Sequence, residues 1–174
     1  EKSAQNGYSE GMFKLGRYYE FGDCVEKDEE KAFDLYIKAM EMGNGNACFR
    51  LGLMYELGKL CEKNYQKALE CYLLAKERGV TYVDLSIGNL YYRGGEGVPV
   101  DYEKARIYYE YAYDNNDQGA ALWLGIIYFE GRGVEKDLQK AEQYLLFSAE
   151  KGNASAILRL AELYEGLQDY KNAL

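Results

Sequence analysis

The sequence predicts an all-α fold, a right-handed α-solenoid of stacked antiparallel helical hairpins, and three observations predict it. The first is a signature of the form Leu-Gly-x-x-Tyr that returns down the whole chain. It reads Leu15-Gly16 with Tyr19, Leu51-Gly52 with Tyr55, Ile87-Gly88 with Tyr91 and Leu124-Gly125 with Tyr128, and ends in a worn copy, Leu160-Ala161 with Tyr164. The marker residues Gly16, Gly52, Gly88, Gly125 and Ala161 stand 36, 36, 37 and 36 residues apart. The second is a set of fixed sub-spacings: Gly7, Gly43, Gly79, Asn116 and Gly152 each lie nine residues before a marker. The third is that variation in length is confined to one place in the period, the stretch after each marker, such as Arg93 to Pro99 with its one extra residue. A period of this length with insertions at a single point is the pattern of a helical repeat array, in which each unit buries its apolar face only by stacking on its neighbours.

The elements follow in order. Residues 1–7 read as the last turn of a helix closed by Gly7, and Ser9 to Phe21 carries apolar residues at Met12, Phe13, Leu15, Gly16 and Tyr19, a helical spacing with one buried face. After a loop from Gly22 to Lys27, Asp28 is placed to cap a second helix through its side-chain oxygen, as are Asn64, Asp101 and Asp137 in later units, each followed three residues on by Lys-Ala. The second helix carries Ala32, Leu35, Tyr36 and Ala39 inward, and Gly43 supplies the left-handed residue that ends it, a role Asn116 can take where glycine is absent. The same reading gives helices near 45–57, 64–78, 81–93, 101–115, 118–130, 137–151 and 154–165, then a short turn at Gly166 to Gln168 and a new helix from Asp169. The small marker residue lets the two helices of a unit approach closely, and Tyr19, Tyr55, Tyr91, Tyr128 and Tyr164 are expected to fill the core. Residues 1–174 thus form one repeat domain of four near-complete units, about 8–43, 44–79, 80–116 and 117–152, flanked by partial ones. Glu1 lying inside a helix and Asn172-Ala173-Leu174 stopping one turn into another make a fragment of a longer array the expectation.

Composition narrows the function. A net charge of −8 opposes binding to a nucleic-acid backbone and favours basic partners. No apolar run approaches the roughly 20 residues needed to span a bilayer, so membrane insertion is not expected. The chain contains no histidine, which removes the commonest general base and zinc ligand. Cys24, Cys48, Cys61 and Cys71 form no C-x-x-C pair, and Cys61 and Cys71 stand where other units carry Val25, Val98, Val134 and Leu35. They read as free, mostly buried thiols, which favours a cytoplasmic or otherwise reducing compartment. The serines lack a base and any Gly-x-Ser-x-Gly context, and Gly94-Gly95-Glu96-Gly97 lacks the Gly-Lys-Ser/Thr of a phosphate loop. No cofactor, metal or catalytic constellation is expected.

At Leu124 to Gly152 the signature followed by Gly-x-Gly-Val-x-x-Asp-x-x-Lys-Ala resembles the Sel-one-like repeat, a tetratricopeptide-related helical hairpin. The resemblance covers nearly the whole chain, and it implies a non-catalytic adaptor that assembles protein complexes. The second unit departs from it in Gly58-Lys59-Leu60-Cys61, and the fifth in its shortened loop. One secreted, cysteine-rich branch of the family carries a cysteine pair eight apart in each unit and is associated with β-lactam binding or hydrolysis. Here Ala39 and Ala47, Ala75 and Val83, and Ala112 and Ala120 hold those places. That activity, or a purely structural spacer role, stands as the alternative to a scaffold.

Residues that the repeat does not dictate carry the remaining information. In such arrays the first helices line the concave wall. Along that wall the sequence places Leu53, Tyr92, Trp123, Ile126 and Phe129, with Tyr82 and Leu122 beside them, between Glu20 and Glu56 on one side and Glu162 and Glu165 on the other. Trp123, the single tryptophan, stands where other units carry Lys14, Arg50, Ser86 and Arg159, and it either packs on a neighbouring unit or anchors a ligand. The expected partner is a protein or peptide segment with a hydrophobic centre and basic flanks.

Overall fold

The computed structural model describes residues 2–173, and side chains within residues 7–167. In chain order its elements are α1 (Lys2–Phe21), α2 (Glu29–Glu41), α3 (Gly45–Leu57), α4 (Tyr65–Glu77), a 3-10 turn (Thr81–Val83), α5 (Asp84–Arg93), α6 (Tyr102–Asp114), α7 (Gln118–Glu130), α8 (Leu138–Glu150) and α9 (Ala154–Ala173). No strand occurs among the described residues; the one isolated bridge, Gly95 with Val98, closes a tight turn. The chain divides into two compact units, Glu1–Val83 with Gly95–Pro99, and Asp84–Gly94 with Val100–Leu174.

Local chemistry sets the helix ends. Asp28, Asn64, Asp101 and Asp137 sit in extended backbone and each accepts a hydrogen bond from the amide three residues on, at 2.8 to 3.0 Å. The lysine that donates this amide, Lys31, Lys67, Lys104 or Lys140, lays its ammonium over the ring of Tyr19, Tyr55, Tyr91 or Tyr128, 5.0 to 5.4 Å from the centroid. Gly43, Gly79, Asn116 and Gly152 all take the left-handed conformation that ends the second helices.

In the first unit, α1 packs on α2, α2 on α3 and α3 on α4. Its core gathers Phe13, Ala32, Tyr36, Ala39, Ala47, Leu51 and Met54. A methyl group on Gly16 would lie 2.7 Å from the Tyr36 ring, and one on Gly52 would lie 2.5 Å from the Tyr72 ring, so these markers are glycine because a ring occupies the space. Phe13 and Phe49, three residues before each marker, pack on the same two rings at 5.7 Å. In the second unit, α5 pairs with α6 and α7 with α8, while α9 packs on α8 and α7. Gly88 lies against Tyr109, and Gly125 against Leu145.

Four expectations are corrected. Gly7 does not end a helix: α1 runs through it from Lys2. Elsewhere the turn residue is followed by a cap, Asn44, Asp117 or Asn153, whose side chain accepts backbone amides; Tyr8 follows Gly7 and offers none. The third unit also lacks the cap, with Val80 in that place, and its first helix opens through the 3-10 turn instead of starting as α-helix at 81. The turn expected at Gly166 to Gln168 is absent, and α9 continues to Ala173; the stretch is shorter than the loops of the other units and Leu167 packs on the core cluster of α8 and α9. Finally, the signature tyrosines are not the innermost ones. Tyr128 is buried, but Tyr19, Tyr55 and Tyr91 are half-buried and Tyr164 is 45% exposed, whereas Tyr36, Tyr72 and Tyr109 on the second helices are fully buried. The physical reason is the glycine marker, which vacates space for a ring from the paired helix. Glu1 lies outside the described residues.

The four cysteines are unpaired. Burial pushes the Cys71 thiol up to about 11 and raises that of Cys48, and of the four only Cys24 is exposed. At the places where the cysteine-rich branch carries its pairs, Ala39, Ala47, Ala75, Val83, Ala112 and Ala120 are all buried, so small side chains make those contacts.

Candidate protein-binding surface

The surface that the sequence singled out divides between the two units, and each part has its own chemistry. In the first unit, Glu20 and Glu56 have a structural task. The Tyr36 hydroxyl donates to Glu20 Oε2 and the Tyr72 hydroxyl to Glu56 Oε2, both at 2.6 Å. Burial, then the hydrogen bond to Glu20, raises the Tyr36 phenol well above its ordinary range, which keeps it a neutral donor. Glu20 is 12% exposed and also faces the Arg50 guanidinium at 3.8 Å. Leu53 is half-buried. Tyr82 is 55% exposed, packs edge-on against Phe49 at 5.0 Å and donates to Asn46 Oδ1 at 2.6 Å.

The acceptor follows the residue it serves. Where the second helix buries Tyr36 or Tyr72, the position four after the marker is Glu20 or Glu56. In the third hairpin that position is Tyr92, and the Tyr109 hydroxyl turns instead to Asn89 Oδ1 at 3.0 Å. In the fourth the buried residue is Leu145, which has no hydroxyl, and the position is Phe129. Freed from this duty, Tyr92 and Phe129 are apolar.

In the second unit these substitutions build an aromatic patch. Trp123 packs on Tyr92 with centroids 4.7 Å apart and stacks nearly parallel to Tyr109 at 6.2 Å. Tyr102 meets Tyr92 edge-on at 5.3 Å. The Arg132 guanidinium lies over both Tyr92 and Tyr102, at 5.2 and 5.5 Å, while Glu130 pairs with it. Burial pushes the Tyr92 phenol up, against the pull of Arg132 and Arg159. Trp123 thus packs on the preceding hairpin and keeps part of its surface open. Ile126 does not belong to this surface: at 7% exposure it lies inside, because one residue after the marker faces the interior here. Leu122 is half-buried against the cluster of Tyr128, Leu160 and Leu163. Phe129 lies under Lys136 at 5.2 Å and lines a cavity of about 330 Å³ with Leu138, Leu163, Gly166 and Leu167. Glu162 is exposed and paired with Arg159 at 2.8 Å, and Glu165 is exposed. Tyr102 and Arg132 were missed from sequence because they reach the patch from a helix start and a loop, positions that the helical periodicity does not align with Trp123.

Among the described residues no cluster of acidic or cysteine side chains is arranged to hold a metal, and no helix is long and apolar enough to cross a membrane. Successive hairpins with one repeated contact, a marker glycine against a large side chain of the paired helix, define a helical-repeat protein of the α-solenoid class. The Sel1 repeat model matches at residues 9–44, 45–80, 84–117 and 119–153, and the chain belongs to the Sel1 repeat family. Members of this family typically mediate protein–protein interaction.

Solved structures agree. The chain is similar to a Sel1 repeat protein from Oxalobacter formigenes, with 31% identity, a TM-score of 0.79 and coverage of 90% of this chain and 63% of that one. It is similar to c5321, a protective antigen present in uropathogenic Escherichia coli strains displaying an SLR fold, at 28% identity and a TM-score of 0.62, over 90% of this chain and 41% of that one. Helicobacter pylori cysteine rich protein B follows at 29% identity and a TM-score of 0.54, covering 78% and 97%. The chain therefore spans less than two thirds of the length of the first two. No curated protein matches it.

Proposed function

We propose that the chain is a non-catalytic scaffold that captures a protein or peptide segment on the aromatic patch of its second unit. The observation that carries this reading is Trp123, half-open on Tyr92 and Tyr109 with Arg132 spread over the neighbouring rings. Rigid aromatic side chains beside an arginine are the composition of binding hot spots, since they bring large apolar area at little cost in side-chain entropy. The segment that fits has an apolar or aromatic centre to lie on Trp123 and Tyr92. Basic flanks fit the side of Glu165, because Glu20 and Glu56 are already committed to buried hydroxyls and Glu162 to Arg159.

The test uses the tryptophan itself, which is the only one in the chain and so reports on this surface alone. Peptides selected from a displayed random library on the wild-type chain are titrated while Trp123 emission is followed. They should shift that emission, and Tyr92→Ala and Phe129→Ala should weaken binding about 30-fold or more while the helical signal is retained. Selected peptides that leave the emission unchanged and bind both variants at wild-type affinity would place recognition elsewhere.

A further inference from the structure

Four residues that the repeat does not call for meet in the second unit. Tyr92 stands where two other hairpins carry Glu20 and Glu56, and Trp123 where they carry Lys14 and Arg50. Glu130, five positions after its marker, answers to Phe21, Leu57 and Arg93, and Arg132, between the left-handed Gly131 and Gly133, answers to Asp23, Lys59 and Glu96. Together with Tyr102 they form a seat for a cation. Its walls are the Tyr92 and Tyr102 rings, edge-on to each other at 5.3 Å, and the Glu130 carboxylate closes one side. Arg132 occupies the seat, its guanidinium 5.2 and 5.5 Å from the two ring centroids and paired with Glu130. Trp123 adjoins it through Tyr92, 4.7 Å away. The loop backbone is fixed, since a methyl group on Gly133 would stand 2.8 Å from Tyr102 Cβ, but the Arg132 side chain is 39% exposed. Water therefore reaches its contacts, and an ion pair or a cation on a ring is worth little under those conditions. The third and fourth hairpins that build the seat are both complete and α9 follows them, so neither end of the sequence bears on whether it is open.

We propose that the partner segment places an arginine in this seat and that Arg132 is the resident occupant it displaces. The proposal rests on the reading of the patch as the partner-binding surface and names the residue that the surface selects. An apolar residue pushed over Tyr92 and Tyr102 would turn Arg132 out and leave the Glu130 carboxylate covered and unpaired, a penalty that a second guanidinium avoids. Arginine fits better than lysine, because a planar guanidinium lies across both rings while its edge meets the carboxylate, as that of Arg132 does. Once displaced, Arg132 regains water on its exposed loop, so the exchange is open to a segment that also gains from laying an apolar residue on Trp123. Without that gain Arg132 keeps its place, since its tether gives it a high local concentration. Arg132 thus raises the threshold for binding and rejects segments that lack a cation.

Methylguanidinium, titrated at constant ionic strength and followed by Trp123 emission, tests the seat apart from any partner. It should bind saturably to Arg132→Ala, and about tenfold or more weakly to the wild-type chain and to Arg132→Ala combined with Glu130→Gln. The helical signal confirms that the variants are folded. Equal responses in Arg132→Ala and wild type, indifference to Glu130→Gln, or no response in any of the three overturns the proposal. Peptides selected from a displayed random library on Arg132→Ala test the partner. They should carry an arginine, lose about thirtyfold in affinity when it is replaced by alanine, and bind wild type more weakly than Arg132→Ala. Tighter binding to wild type would make Arg132 a direct contact of the partner and overturn the proposal. Peptides that shift Trp123 emission but need no arginine overturn it as well, and leave the patch standing as the binding surface. Peptides that bind without shifting the emission remove that surface and the proposal with it.

Discussion

The phenol of Tyr72 illustrates how a single residue constrains others far from it in sequence. It lies fully buried on Gly52, and its hydroxyl donates a hydrogen bond to Glu56 Oε2 at 2.6 Å. Removing the acceptor takes a hydrogen bond to a charged group away from a buried hydroxyl, which costs about 1.5–3 kcal/mol, whereas removing both partners is nearly neutral. Glu56→Ala should therefore lower the unfolding free energy read from denaturant titration by that amount in the wild-type background and by much less in the Tyr72→Phe background. Equal losses in both would mean that Glu56 acts through something other than this hydroxyl.

At the scale of the element, glycines separate by what they face. A methyl at Gly52 meets the Tyr72 ring at 2.5 Å, so Gly52→Ala should destabilise by about 1–3 kcal/mol through overpacking. Gly11 lies in α1 with nothing within 4 Å, and Gly11→Ala should stabilise by about 0.5–1 kcal/mol by restricting the unfolded chain. Thermal melts of the two variants should move in opposite directions. The helix caps predict a pH effect. Asp28 is held below the usual carboxylate range by the Lys31 ammonium and then its amide, and Asp101 by the Lys104 amide and then its ammonium. A depressed folded-state value means that the unfolded chain takes up protons first. The stability these caps contribute is thus present above the unfolded carboxylate value of about 3.9 and is lost as pH falls through the lower folded values. Asn64 caps α4 with the same geometry and does not titrate. The double variant Asp28→Asn with Asp101→Asn should keep its helices and show a shallower loss of stability below about pH 4 in acid titrations followed by circular dichroism.

For the molecule as a whole, packing is local in sequence. Within each unit the helices touch the next one along, or the next but one, and no strand pairing links distant segments among the described residues. Short-range topology lowers the loop-closure cost before contacts form, and helical proteins of this kind fold within about microseconds to milliseconds. Stopped-flow refolding should be complete in that range. A dominant phase lasting seconds would point to long-range order that the hairpin stack does not contain. The net charge of −8 acts at this scale too, favouring solubility and slowing association with acidic partners.

Much of this was legible in the residues alone, because an array repeats its physics. The caps at Asp28, Asn64, Asp101 and Asp137, the left-handed Gly43 and Asn116, and the close approach at Gly16, Gly52, Gly88 and Gly125 are local requirements, each written several times and so checkable against itself. The exchange of Glu56 for Tyr92 and Phe129 at one repeat position was also visible, but its meaning was not, since the residue it answers lies 16 positions away on another helix. Sequence periodicity placed Ile126 on the open wall, and only packing showed that it points inward. The same holds for the aromatic patch. Trp123 stood out as an exception in its column, yet its neighbours Tyr102 and Arg132 come from a helix start and a loop. Repetition in the chain determined the hairpins, their caps and their glycines. Which side chains meet across hairpins, and which faces stay open, was decided by tertiary structure, because those contacts join residues whose spacing obeys no single helical period.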